Sequence, residues 1–180
     1  LIERCGDRMG PNHLLLWADN PWLQRLERGS LPPEDPPKAE VTVQAYQGEY
    51  ESAAVNLTNL GERTIGVRCT LAPWPPIGAF TRAREDDAQG VPAAVESAQQ
   101  FPLAAPLAAH VQLREPTFVA RRDGGSPMDA LPLLPESGAI EIPPGETRQL
   151  WLTLDAVGLE PGTYGAVVKV TELDEVGLRH

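Results

Sequence analysis

Between residues 41 and 71, and again between 140 and 170, apolar side chains return at every second position. No other feature of the chain restricts its fold as much, because a period of two belongs to β-strands and a period near 3.6 to helices. Val41, Val43 and Ala45 alternate with Thr42, Gln44 and Tyr46. After a turn at Gly48, Ala53, Val55 and Leu57 alternate with Ser52, Ala54, Asn56 and Thr58. Asn59-Leu60-Gly61-Glu62 reads as a hairpin turn into Ile65, Val67, Cys69 and Leu71. Later, Ile140 and Ile142 run into a Pro143-Pro144-Gly145-Glu146 turn, and Leu150, Leu152 and Leu154 alternate with Gln149, Trp151 and Thr153. Such strands place one face on a core and the other in water, as antiparallel sheets do.

Before this patterned region the chain reads differently. Leu14-Leu15-Leu16-Trp17 has the look of a short buried strand. Asn20 and Pro21 follow as a helix cap and first helical residue, and Gly29 fits the position past the end, so a short helix is expected over about 21–28. Trp17 and Trp22 are expected to wedge between this N-terminal segment and the sheet. Residues 30–38 are proline-rich and extended. We therefore divide the chain into an N-terminal segment, 1–38, and a β-sandwich domain, 39–180.

Two stretches leave the alternation. Residues 72–109 hold six prolines, an acidic run Glu85-Asp86-Asp87 and an Ala/Gln-rich part, and read as a long insertion loop. A strand returns at Val111–Leu113, is interrupted at Pro116, and resumes through Phe118 and Val119; residues 121–138 read as loop. Leu159-x-Pro161-Gly162-x-Tyr164 opens the last patterned strand and resembles a tyrosine corner, in which the phenol ties back to nearby backbone. The final residues, 173–180, read as a turn and a strand that stops short. The expected fold is thus an all-β, immunoglobulin-like antiparallel sandwich with a short N-terminal helix and a long insertion loop.

Charge and motif content exclude several classes of function. A net charge of −10, from 15 basic and 25 acidic residues, repels nucleic acid and anionic membrane surfaces. No apolar run is long enough to span a bilayer. His13, His110 and His180 share no metal-ligand spacing, so neither a metal nor another cofactor is expected. Cys5 and Cys69 could pair in an oxidising compartment or remain two small buried hydrophobes, and the alternation points Cys69 inward. Glu49 and Glu51 share a face, yet a turn acid and a solvated edge charge explain them more simply than a glycosidase pair. Asn56-Leu57-Thr58 matches a glycosylation sequon but sits in a strand.

Trp151 is the residue to weigh most carefully, because alternation turns it away from Leu150 and Leu152 toward the outside. Such an indole either stacks on a sugar ring or lies under a loop, for which the 72–109 excursion is available; Trp74 could anchor that loop or join an aromatic platform.

Leu16-Trp17-Ala18-Asp19, the short helix, the proline-rich linker, Val41-x-Val43-x-Ala45 and Gly48-Glu49-Tyr50-Glu51-Ser52 together resemble a particular opening. It is similar to the N-terminal β-sandwich of proteins related to glycoside hydrolase family 123, including relatives described as domains of unknown function. Pro143-Pro144-Gly145-Glu146, Leu150-Trp151-Leu152 and Leu159-x-Pro161-Gly162-x-Tyr164-x-Ala166 resemble the later half of the same domain. The likeness covers residues 14–71 and 139–171, and departs from the family where Ala53 and Ala54 follow Ser52 in place of an aromatic and a glutamine. It implies a secreted or surface-borne accessory domain, not itself an enzyme, that supports a neighbouring catalytic barrel of the same polypeptide. A carbohydrate-binding module using Trp151 and Trp74, or an adhesion-type protein–protein contact, are the alternatives.

Overall fold

The structure is a computed structural model and describes residues 13–20, 22, 26–27, 29–73, 105–122, 124 and 128–173. Among the described residues, nine strands and one short helix follow in the order β1 (Leu14–Asp19), β2 (Tyr50–Asn59), β3 (Ile65–Pro73), α1 (Ala105–Ala109), β4 (Val111–Arg114), β5 (Thr117–Phe118), β6 (Met128–Ala130), β7 (Ala139–Ile142), β8 (Thr147–Asp155) and β9 (Ala166–Leu173). They form a four-stranded sheet β1-β2-β8-β4, a three-stranded sheet β7-β3-β9 and a two-stranded ribbon β5-β6, with every pairing antiparallel.

The alternation explains how the two larger sheets meet. Leu14, Val55, Leu57 and Leu150 from the first sheet pack against Val67, Cys69, Ile140 and Ile142 from the second, forming one buried core. Leu16, Leu113, Leu152, Val168 and Val170 close its rim as half-buried neighbours. Each buried side chain of this size contributes roughly 1.5–3 kcal/mol of transfer free energy, so the inner faces supply most of the driving force for folding. Leu14-Leu15-Leu16-Trp17 is apolar without interruption because β1 is covered on both sides. Leu14 faces the inter-sheet core, while Leu15 and Trp17 face a second cluster with Leu26, Leu60 and Met128.

Several sequence expectations change in three dimensions. Val41, Val43 and Ala45 form no strand, and of residues 41–46 all but half-buried Val43 are exposed. The pattern there describes a backbone ready to pair, but pairing needs a neighbouring strand, and no described strand runs beside it. The Asn59-Leu60-Gly61-Glu62 turn is not a hairpin either, since β2 and β3 belong to different sheets and the turn is a corner between them. Pro143-Pro144-Gly145-Glu146 is a second corner, leading from β7 to β8. The two corners are tied together: Gly145 N donates to Asn59 O at 2.9 Å, and Asn59 N donates to Glu146 O at 3.0 Å.

No helix is described over 21–28. Asn20 Oδ1 does accept the Trp22 N–H at 3.0 Å, as a cap would, but Trp22 lies in a turn and Glu27 in an isolated bridge. Pro21, Arg28 and residues 23–25 lie outside the described residues. Of the expected 72–109 loop, the start belongs to β3 and residues 105–109 form α1, with 74–104 outside the described residues. The 121–138 loop contains β6, which pairs with β5. The backbone tie expected near Tyr164 is present, with Tyr164 Oη donating to Glu160 O at 2.6 Å.

Gly138 shows why one residue type is required at a close approach. Its φ is +65°, and a Cβ there would stand 2.6 Å from the carbonyl oxygen of Cys69. That contact arises because Cys69 N donates to Gly138 O at 2.8 Å, which holds the two backbones together. Cys69 itself is a free, buried thiol whose pKa is pushed up to about 12, first by burial and then by the charge of Glu115. It is a core residue, as its inward position implies; Cys5 lies outside the described residues.

Candidate functional site

The register of the four-stranded sheet defines its outer face. Asp19, Ala54, Trp151 and Arg114 form one row across β1, β2, β8 and β4, and Ser52, Thr153 and Gln112 form the next. Tyr50 and Asp155 form a third row. In the opposite direction lie Trp17, Asn56 and Gln149, then Leu15, Thr58 and Thr147.

These two halves of the face meet different surroundings. The half with Trp17, Asn56, Thr58, Thr147 and Gln149 is buried, because the N-terminal segment lies across it. Its polar groups form a chain whose direction is fixed by donor count. Thr147 Oγ1 gives its one proton to Ser30 O at 2.7 Å, so Thr58 must donate in the 2.8 Å contact between the two hydroxyls. Thr58 in turn accepts from Trp17 Nε1 at 2.9 Å. A parallel argument orients the amides. Trp151 Nε1 can only donate, so Gln149 Oε1 receives it at 2.6 Å and Gln149 Nε2 donates to Asn56 Oδ1 at 2.9 Å. Asn56 Nδ2 then remains a fully buried donor with no partner among the described residues. A side chain so enclosed is also inaccessible to glycosylation in the folded protein.

The other half is open. Trp151 is half-buried, and Trp22 from the N-terminal segment lies against it; of the 72–109 excursion expected to cover it, residues 74–104 lie outside the described residues. The two rings meet edge to face, with centroids 5.1 Å apart and planes at 84°, the geometry favoured by aromatic quadrupoles. Trp22 is 71 % exposed, which corrects the expectation that it is wedged beneath the segment. Covering Trp151 therefore moves an indole to the surface rather than removing one from it. Around the pair stand the partly exposed Ser52, Thr153, Asp19 and Arg114 and the exposed Gln112. Arg114 is held flat by donating to Gln112 Oε1 at 2.6 Å and to Leu131 O at 3.0 Å. Ser52 Oγ donates to Thr153 Oγ1 at 3.3 Å. At the far end Tyr50 is 66 % exposed and its hydroxyl bonds the Asp155 carboxylate, which raises its pKa.

A second feature is a cleft of about 310 Å³ lined by Glu115, Pro116, Thr117, Phe118 and Arg148. Arg148 lies 3.3 Å from Glu146 and 4.0 Å from Glu115, donates to Glu141 O at 3.2 Å, and sits 5.3 Å from the Phe118 ring centroid. One guanidinium thus joins β7, β8 and the β4–β5 connection, which reads as a structural clamp. Burial raises the Glu115 carboxyl above the ordinary carboxylate range, and Arg148 pulls it part of the way back. With the folded pKa above the unfolded one, the folded state holds the proton longer, so stability falls as pH rises through that window. We expect Glu115→Gln to flatten this decline in the window just above the ordinary glutamate range, as read from urea midpoints. An unchanged slope would show that Glu115 does not titrate in that window.

The remaining sequence candidates are placed as follows. Trp74 and the Glu85-Asp86-Asp87 run lie outside the described residues. Glu49 precedes β2, and its Oε2 accepts the Tyr46 N–H at 3.0 Å, so it holds a turn, while Glu51 is half-buried opposite Leu154. Among the described residues no three His, Cys, Asp or Glu side chains group as a metal site, and no helix is long and apolar enough to cross a membrane. Trp22 was not among the sequence candidates for ligand contact. The signal that could have found it was its place after a capping Asn20, which fixes a turn and leaves a large side chain at its apex.

The fold and face define an all-β, two-sheet domain with an aromatic pair on an open sheet surface. No family model matches the chain, and no curated protein matches it.

Proposed function

We propose that this chain is a non-catalytic, immunoglobulin-like accessory domain of a larger, secreted or surface-borne, carbohydrate-active polypeptide, and that the open half of its four-stranded sheet contacts carbohydrate. The observation that carries the reading is the Trp22–Trp151 pair, an exposed indole braced by a half-buried one beside hydroxyl, amide and guanidinium groups. The apolar C–H face of a pyranose complements an aromatic ring, and its hydroxyls need directional partners of the kind that flank the pair. The resemblance of residues 14–71 and 139–171 to accessory sandwiches of glycoside hydrolase relatives supports the same class. That support is analogy, whereas the aromatic pair is a feature of this chain.

A second reading is favoured by a separate feature. The exposed 41–46 segment carries Val41 and the 81 % exposed Tyr46, which suits contact with a neighbouring domain. Tryptophan fluorescence separates the two readings. Titration with soluble neutral polysaccharides is expected to give a saturable shift that disappears in Trp151→Ala. No shift across the panel would reject the carbohydrate reading and favour the domain contact.

A further inference from the structure

The open strip extends well beyond the tryptophan pair. Trp151 stands opposite Ala54, and Tyr50 lies four residues earlier on β2, on the same outer face. At the rise of a β-strand this separates the two aromatic positions by about 13 Å. The surface between them carries Ser52, Thr153 and Gln112, two hydroxyls and an amide. The strip is an open sheet surface with aromatics at both ends; β8 is paired on both sides over Trp151–Leu154, while β2 pairs with β8 throughout and with β1 only from Ala54 onward. A ligand lying on this face, above the plane of the backbone ladder, meets side chains rather than backbone groups. The net charge of −10 disfavours a polyanion.

We propose that this strip binds a linear, neutral polysaccharide laid along β2 and β8, with Trp22–Trp151 and Tyr50 as separate stacking points for sugar rings at the two ends of one site. The proposal rests on the carbohydrate reading above and specifies its ligand as a chain rather than a terminal sugar. Ser52, Thr153 and Gln112 address the hydroxyls of the residues between the stacked rings. Tyr50 contributes its ring face, with the Asp155 carboxylate beside its hydroxyl.

Isothermal titration calorimetry with neutral gluco-, xylo- and manno-oligosaccharides, from disaccharide to hexasaccharide, tests this. Affinity is expected to rise by on the order of tenfold once the oligosaccharide reaches from Trp151 to Tyr50. Tyr50→Ala should abolish that gain while leaving disaccharide binding unchanged, and Tyr50→Phe should keep it. Trp22→Ala should weaken short and long ligands alike. Because Tyr50 and Trp22 are exposed, unchanged far-UV circular dichroism is expected for these variants. Equal affinity for short and long ligands, with Trp22 still required, would overturn the extended site and leave the carbohydrate reading standing. Absence of binding by every oligosaccharide would overturn both.

Discussion

Replacing Trp17 by alanine is expected to lower folding stability by about 3–5 kcal/mol, as measured by urea or thermal unfolding. The indole is only 2 % exposed and fills the space between the outer face of the four-stranded sheet and the N-terminal segment, against Leu15, Leu26, Leu60 and Met128. Its removal opens a cavity and also takes away the donor that enters the Thr58–Thr147–Ser30 chain. Trp17→Phe separates the two effects, because it keeps most of the volume and loses the N–H. A loss of about 1 kcal/mol is expected for it. The chain of hydroxyls ends on a carbonyl of the covering segment, so Trp17→Ala should also loosen the segment that carries Trp22. A loss below about 1 kcal/mol for Trp17→Ala would mean that the segment is not an integral layer of the fold.

Asn59→Ala is expected to destabilise by about 2–4 kcal/mol, because one fully buried side chain satisfies three backbone groups. Its Nδ2 donates to Arg63 O at 2.7 Å and to Ile142 O at 2.8 Å, and its Oδ1 accepts from Gly61 N at 2.9 Å. Those partners belong to the β2–β3 corner and to the end of β7, where the chain changes sheets. The amide thus fastens both crossings at one point. Asn59→Asp is a sharper test, since an ionised carboxylate would face two carbonyl oxygens without a proton to offer. It should be less stable than Asn59→Ala at neutral pH, with the gap narrowing as the solution is acidified. If the two variants unfold at the same urea concentration at every pH, the donor role assigned to Nδ2 is wrong.

The inner faces of the sandwich were legible because the side-chain period of a strand does not depend on its partner. Val55, Leu57, Val67, Cys69, Ile140, Ile142 and Leu150 all occupy the core that their alternation indicates. The same pattern could not say which strands pair. Ile65 to Leu71 alternates identically whether the preceding turn closes a hairpin or crosses to the other sheet. What turns the corner is Asn59, through contacts with residues 83 positions away in sequence and with near neighbours at once. Val41, Val43 and Ala45 carry the same signal and pair with no described strand, since alternation prepares a backbone for pairing without providing the neighbour.

The candidate face was only half legible. Outward orientation of Trp151 follows from its place between Leu150 and Leu152, and that is a property of local geometry. That Trp22 covers it and that Trp17 is buried while Trp22 is exposed are decided by where the N-terminal segment crosses the sheet, and that Tyr50 shares the face is decided by the β2–β8 register. The sequence by itself determined the strands, their inward residues and the outward turn of Trp151, because these depend on backbone geometry repeated every two residues. Only the tertiary structure decided the sheet order, the corners and the exposed aromatic strip, because these depend on contacts between residues far apart in the chain.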